Sequence, residues 1–242
     1  MIKIFADKNQ ISQYFGEMLI DGISKLQYGQ QYSIALSGGS TPKAIFDYLA
    51  VNFKDKIQWD KLLVFWGDER CVPPDDKDSN YKMAKVSLLD HVSIPAENIF
   101  RIKGEDEPDA EAKRYEMIIQ DKIGGQKDSP QFDLVLLGLG TDGHTASIFP
   151  DSISLFDSDN LCDVVQHPDS GQTRITITGK IINQAKTAAF LATGEGKAEM
   201  VATVIDEKDG YEKLPSSKVQ PEDGTLLWLL DSASAAKLKT IS

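Results

Sequence analysis

The segment Gly138-Leu139-Gly140-Thr141-Asp142-Gly143-His144-Thr145-Ala146-Ser147-Ile148-Phe149-Pro150 gathers an imidazole, a carboxylate and three nearby glycines directly after an apolar run. Imidazole titrates near neutrality, so it can take a proton from water and return it to a leaving group. Of the three histidines, His91, His144 and His167, only His144 stands in such a glycine-rich loop. A loop of this composition is poor core material, and loops leaving rigid elements are where binding and catalytic groups concentrate.

A second chemical cluster is Gly67-Asp68-Glu69-Arg70, followed by Ser79-Asn80-Tyr81. Asp68 or Asp142 could orient the imidazole of His144. Arg70 could bind an anion or stabilise a developing oxyanion. Glu69 reads as part of a surface salt-bridge cluster, and residues 73–78 read as a rigid solvated loop. A third cluster is Ser37-Gly38-Gly39-Ser40-Thr41-Pro42. Gly38 and Gly39 permit close backbone approach, Ser40 or Thr41 suits a helix cap, and Pro42 suits the first turn. Unpaired amides at a helix start favour a phosphate, although an ordinary strand-to-helix turn would look the same. No Gly-Lys-Ser/Thr ending follows, so it is not a Walker loop. Arg174 and Lys197 could complete a phosphate clamp. Arg174 alone would read as a solvated surface charge, whereas Lys197 at a helix start opposes the dipole and calls for an anionic partner.

These clusters need a scaffold that brings them together. Apolar runs over 32–36, 62–66, 132–137 and 188–193 predict strands, each with a loop following. Helices are expected over 9–26, 42–50, 80–88, 110–123 and 196–205. Residues 104–109 and 124–130 read as surface loops. Strands alternating with amphipathic helices predict an α/β fold, three-layered, with a mostly parallel sheet and helices on both faces. In such folds ligands collect beyond the carboxyl ends of the strands, where all three clusters fall.

Composition excludes several alternatives. A chain of 242 residues with 41% hydrophobic content can bury one core over 1–242 as a single domain. A net charge of −11 argues against a nucleic-acid surface, so an anionic ligand needs a locally positive pocket. Cys71 and Cys162 stand far apart in no metal-ligand or disulfide pattern. No signal-like start or membrane-length apolar run is present, so the chain reads as cytoplasmic, with no membrane partner. Nothing in the sequence points to an oligomeric state.

In order, the 37–42 loop, Gly67 to Arg70 through Ser79-Asn80, the 138–150 loop, Arg174 and 194–198 resemble the 6-phosphogluconolactonase family. The likeness spans most of the chain. It implies a fold related to glucosamine-6-phosphate deaminases and ribose-5-phosphate isomerases, no metal or other cofactor, and a small-molecule sugar-phosphate lactone as substrate. The deaminases share the glycine loop and the Asp-Gly-His core, but continue into Asn-Glu-Pro, whose glutamate works with the histidine in ring opening. Here Ile148-Phe149-Pro150 stands instead, and Phe149 carries no proton. A non-catalytic sugar-phosphate sensor is a third reading; it would keep the clamp and need no proton shuttle.

Overall fold

Short runs rich in Leu, Val, Ile and Phe that are buried along their whole length suit strands of a parallel sheet covered on both faces. The computed structural model, which describes residues 1–123 and 130–239, bears this out. Of the loop expected at 124–130, residues 124–129 lie outside the described residues. The elements run β1 (Ile2–Phe5), α1 (Lys8–Ser24), β2 (Tyr32–Leu36), α2 (Ser40–Asn52), β3 (Leu62–Trp66), β4 (Asp68–Arg70), α3 (Asn80–Ser87) and α4 (Pro108–Ile123). There follow β5 (Leu134–Gly138), β6 (Cys162–Gln166), β7 (Thr173–Ile177), α5 (Gly179–Gln184), β8 (Thr187–Ala192), α6 (Ala198–Ile205) and β9 (Thr225–Asp231).

Six strands form one sheet in the order β1-β9-β8-β5-β2-β3, and every neighbouring pair is parallel. Helices cover both faces, giving the expected three-layer α/β architecture. From β2 the chain moves outward to β3, then crosses back to place β5 on the other side of β2. The direction of winding therefore reverses between β2 and β5, and the crevice at their carboxyl ends is the place where open α/β sheets admit ligands. The loops after those two strands are the glycine loop at Ser37 and the histidine loop at Leu139.

A second, antiparallel sheet, β4-β7-β6, was not anticipated. Its strand β4 starts two residues beyond the end of β3 and pairs Arg70 with Arg174 across to β7. It thereby joins two clusters 104 positions apart in the chain.

Each helix follows from its local sequence. Asp7 caps α1 by accepting from the Gln10 amide, and Ile11, Phe15, Leu19 and Ile23 form its buried stripe at four-residue spacing. The strand β3 is an edge, and its last residue receives a substitute partner. The Tyr115 hydroxyl on α4 accepts from the Trp66 amide at 2.8 Å and donates to the Trp66 carbonyl at 3.0 Å, with no solvent access. One phenol thus satisfies both backbone groups where β3 hands over to Asp68. Burial, opposed by the bond to Trp66, pushes the phenol well above its ordinary value, so it stays protonated. Tyr115→Phe strands both Trp66 groups and should destabilise the fold by about 1–3 kcal/mol. Chemical denaturation of the two proteins measures this; an unchanged midpoint would mean that water replaces the hydroxyl.

Candidate active site

At the crevice predicted by the strand order lies a cleft of about 320 Å³ lined by the glycine loop, Asp68, Arg70, Asn80, the start of the histidine loop, Arg174 and Lys197. All ten residues singled out above as catalytic or phosphate-binding candidates belong to it or, in the case of Asp142, to the side chain that holds one of its walls.

His144 is positioned through Asp142. The carboxylate Oδ1 lies 2.6 Å from Nδ1 and also accepts from the His144 amide at 3.2 Å. Gly140 makes this possible: a Cβ there would lie 2.2 Å from His144 Nδ1 and 2.4 Å from Asp142 Oδ1. With Nδ1 held, Nε2 is the ring nitrogen left for chemistry. The loop closes through the Gly140 amide to the His144 carbonyl at 2.8 Å. Ala146, two residues on and lining the cleft, has φ of 49°, a left-handed conformation that costs a non-glycine residue about 1–2 kcal/mol. Behind the imidazole stands Phe149, buried, with ring centroids 4.9 Å apart; His167 packs on Phe149 at the same separation.

Asp68 does not orient His144. It is buried, accepting from Asn80 Nδ2 at 3.2 Å on one oxygen and from Ser147 Oγ at 2.7 Å on the other. The two acids are thus divided, Asp142 to the imidazole and Asp68 to Asn80 and Ser147.

Glu69 is not a surface charge either. Pairing of β4 with β7 buries it, and its carboxylate accepts from the amides of Arg70, Asn80 and Tyr81 and from the Ser79 hydroxyl, at 2.7–3.0 Å. Burial pushes this carboxyl up despite the three amide donors. Its function is architectural: it ties the first turn of α3 to β4, so the exposed 73–78 loop is closed at its base. Arg70 then donates from Nη1 to the Asp78 carbonyl at 2.5 Å and faces the cleft.

In the glycine loop the cap of α2 is Gly39, at φ of 106°, rather than Ser40 or Thr41. Those two occupy the first helical positions, where their amides have no helical partner. Gly38 approaches Asn80 so closely that a Cβ would sit 1.9 Å from Oδ1. Thr41 Oγ1 bonds Thr193 Oγ1 at 2.7 Å, linking α2 to the end of β8. Past Thr193, the Asp231 carboxylate holds the Gly194 amide with both oxygens at 3.0 Å, which anchors the turn carrying Lys197. Lys197 caps α6 with no ion-pair partner among the described residues; burial lowers its ammonium, opposed by Asp142. Arg174 is half-buried rather than solvated. Burial and then the neighbouring Arg70 pull its guanidinium below its ordinary value. Among the described residues, no group of three or more His, Cys, Asp or Glu is placed to hold a metal ion.

The family model described as glucosamine-6-phosphate isomerases/6-phosphogluconolactonase matches residues 6–228. The chain belongs to this family. It is 42% identical over 213 residues to a 6-phosphogluconolactonase of Haemophilus influenzae, covering 88% of this chain and 90% of that one. Among solved structures, the 6-phosphogluconolactonase of Leishmania guyanensis is 29% identical with a TM-score of 0.85, over 100% of this chain and 98% of that one. A monomeric glucosamine-6-phosphate deaminase, 21% identical, reaches a TM-score of 0.80 over 98% and 99%, a likeness of fold alone.

Three site residues carried no assignment from sequence. Ser147 was visible inside the histidine loop, but its type alone named no partner. Thr193 and Asp231 gave no signal, because their contacts join elements far apart in the chain.

The Asp142 carboxyl is pushed up by partial burial, yet the His144 charge and the bonds from its amide and ring outweigh this and hold it below the usual carboxylate range. A depressed carboxylate contributes stability that is present above its unfolded pKa and is lost as pH falls through the folded value. In His144→Ala the charge and ring bond of the imidazole are gone while the amide bond remains, so Asp142 should titrate at higher pH than in the parent protein. Carbon-detected NMR of the carboxyl resonance reads this directly, and an unmoved titration would refute the pairing.

Proposed function

We propose that this chain hydrolyses 6-phospho-D-glucono-1,5-lactone to 6-phosphogluconate, with His144 as general base. The observation that carries the reading is the His144–Asp142 pair at the wall of a cleft with three cationic side chains, Arg70, Arg174 and Lys197, on a protein of net charge −11. The names of its relatives support the substrate.

In the proposed reaction, the amides of Ser40 and Thr41 at the amino terminus of α2, with Arg174 and Lys197, hold the phosphate. That remote grip fixes the lactone carbonyl near His144. Nε2 takes a proton from water as the water oxygen bonds to C1. The carbonyl becomes a tetrahedral oxyanion, for which Arg70 supplies a cation from the β4 side of the cleft; Arg70 then serves the product carboxylate. Collapse breaks the bond from C1 to the ring oxygen, and the imidazolium returns its proton to that oxygen. Asp142 keeps the ring oriented and balances its charge throughout. No cofactor takes part. The reaction belongs to the pentose phosphate pathway, and a cytoplasmic location suits it; among the described residues no helix is long and apolar enough to cross a membrane.

Phe149 disfavours the deaminase reading, because the residue against the imidazole cannot carry a proton. The sensor reading leaves the Asp142–His144 pair without a purpose.

Two measurements test the proposal, both corrected for spontaneous lactone hydrolysis. His144→Ala should lower kcat on the order of 10²–10⁴-fold while the chain remains folded. Undiminished turnover would remove His144 from the mechanism. Lys197→Ala should raise KM for the phosphorylated lactone about tenfold through loss of a charged contact. An equal rise for unphosphorylated gluconolactone would take Lys197 out of the phosphate clamp.

A further inference from the structure

Ser147 has no solvent access, and every polar bond of its side chain goes to a charged group of the cleft. Its Oγ lies 2.7 Å from Asp68 Oδ2 and 3.3 Å from Arg174 Nη1. The direction of these bonds is forced. An ionised carboxylate only accepts and a guanidinium only donates, so the single hydroxyl proton goes to Asp68 and a lone pair faces Arg174. Asp68 is itself fixed on its other oxygen by Asn80 Nδ2, and the Ser147 amide is fixed on Thr176 Oγ1.

Arg174 is restrained at its tip without being consumed. Nη1 meets Ser147, Nη2 meets Gln172 Oε1 at 3.3 Å, and the guanidinium lies over the Phe149 ring at 5.6 Å. Its Nε is buried with no partner. No carboxylate comes within ion-pair distance of Arg174 among the described residues. A direct Asp68–Arg174 pair would take two of its five donors in a fork and neutralise its charge. A hydroxyl spacer instead transmits the field of Asp68 and leaves the remaining donors for an external anion.

We propose that Ser147 is a positioning residue, a hydroxyl spacer that keeps Asp68 and Arg174 apart and presents Arg174 to the phosphate of the substrate. This rests on the lactonase reading for the identity of the anion, and it gives Asp68 a role in binding rather than in proton transfer at His144.

The test is calorimetric titration of the intact protein with 6-phosphogluconate and with gluconate, alongside steady-state kinetics on the phosphorylated lactone. Ser147→Ala should weaken 6-phosphogluconate about tenfold relative to its effect on gluconate, the scale of one charged hydrogen-bond restraint. The rise should appear in KM more than in kcat, and the pH midpoint of kcat should not move. Ser147→Cys, which fills the same space with a weak hydrogen-bonding group, should show the same selectivity and carries the test if the alanine variant is poorly folded. Ser147→Ala combined with Arg174→Ala should be no worse than Arg174→Ala alone, within a factor of about two. Equal losses for both ligands, additive losses in the double variant, or a displaced pH midpoint would each overturn the proposal. A parent protein that binds 6-phosphogluconate but turns nothing over would defeat the hydrolase reading and leave the Ser147 titration decisive. A parent that does not bind it would defeat both.

Discussion

Two parallel strands cannot be joined by a tight turn; each return requires a crossover that carries the chain back across the sheet. Because all six strands of the main sheet are parallel, every carboxyl end lies on one edge, and every loop leaving a strand is delivered there. The glycine loop after β2, the Asp68 segment after β3, the histidine loop after β5 and the Lys197 turn after β8 are neighbours for this reason alone. The reversal of winding between β2 and β5 then opens the edge where two of them meet. The antiparallel β4-β7-β6 sheet is the one element outside this rule, and it supplies what the parallel sheet cannot: a strand running the other way that carries Arg174 back to Arg70.

Charge is organised on the same principle of separation. The protein as a whole is strongly acidic, yet its cleft concentrates Arg70, Arg174 and Lys197. Such cations would ordinarily be quenched by carboxylates. Here the acids nearby are already occupied by neutral donors: Glu69 by three amides and a hydroxyl, Asp68 by an amide side chain and Ser147, Asp231 by the amides of Gly194 and Ser234. Asp142 alone is committed to an imidazole. Meeting the carboxylate oxygens with neutral donors leaves the cations of the cleft without a carboxylate ion-pair partner, which is the condition an anion-binding cleft requires.

Much of this was legible in the sequence where the signal is local. β2 and β3 fell on the predicted residues because fully buried strands are continuous apolar runs, while β5 and β8 shifted by one or two positions where Asp133 and Thr193 blur the ends. The run Thr225 to Asp231 is just as apolar and follows Gly224, so β9 could have been found by the same rule. β4 and β6 could not, since Asp68-Glu69-Arg70 has the composition of a solvated turn and becomes a strand only by pairing with β7. The same tertiary event explains why Glu69 was misjudged as a surface charge and why Arg174, taken alone, reads as one. Glu69 and Arg174 look like surface residues until the small sheet closes over them. The choice between Asp68 and Asp142 as partner of His144 also needed distances, although the two-residue spacing from Asp142 to His144 around Gly143 favoured the local answer.

Phe149 shows how an apolar residue can narrow the chemistry of a site. It is fully buried, touches the imidazoles of His144 and His167, and lies under the Arg174 guanidinium. A ring there denies His144 a second proton carrier on that side and holds Arg174 through its π face, which uses none of its donors. Chemistry that needs separate acid and base groups is handicapped by such a wall. Lactone hydrolysis is not, because the proton removed from water is the one returned to the ring oxygen, and a single imidazole can serve both steps. The family to which the chain belongs spans both kinds of reaction on one fold. In this chain the ring packed against His144 limits the proton carriers beside the imidazole, independently of the cationic residues that line the rest of the cleft.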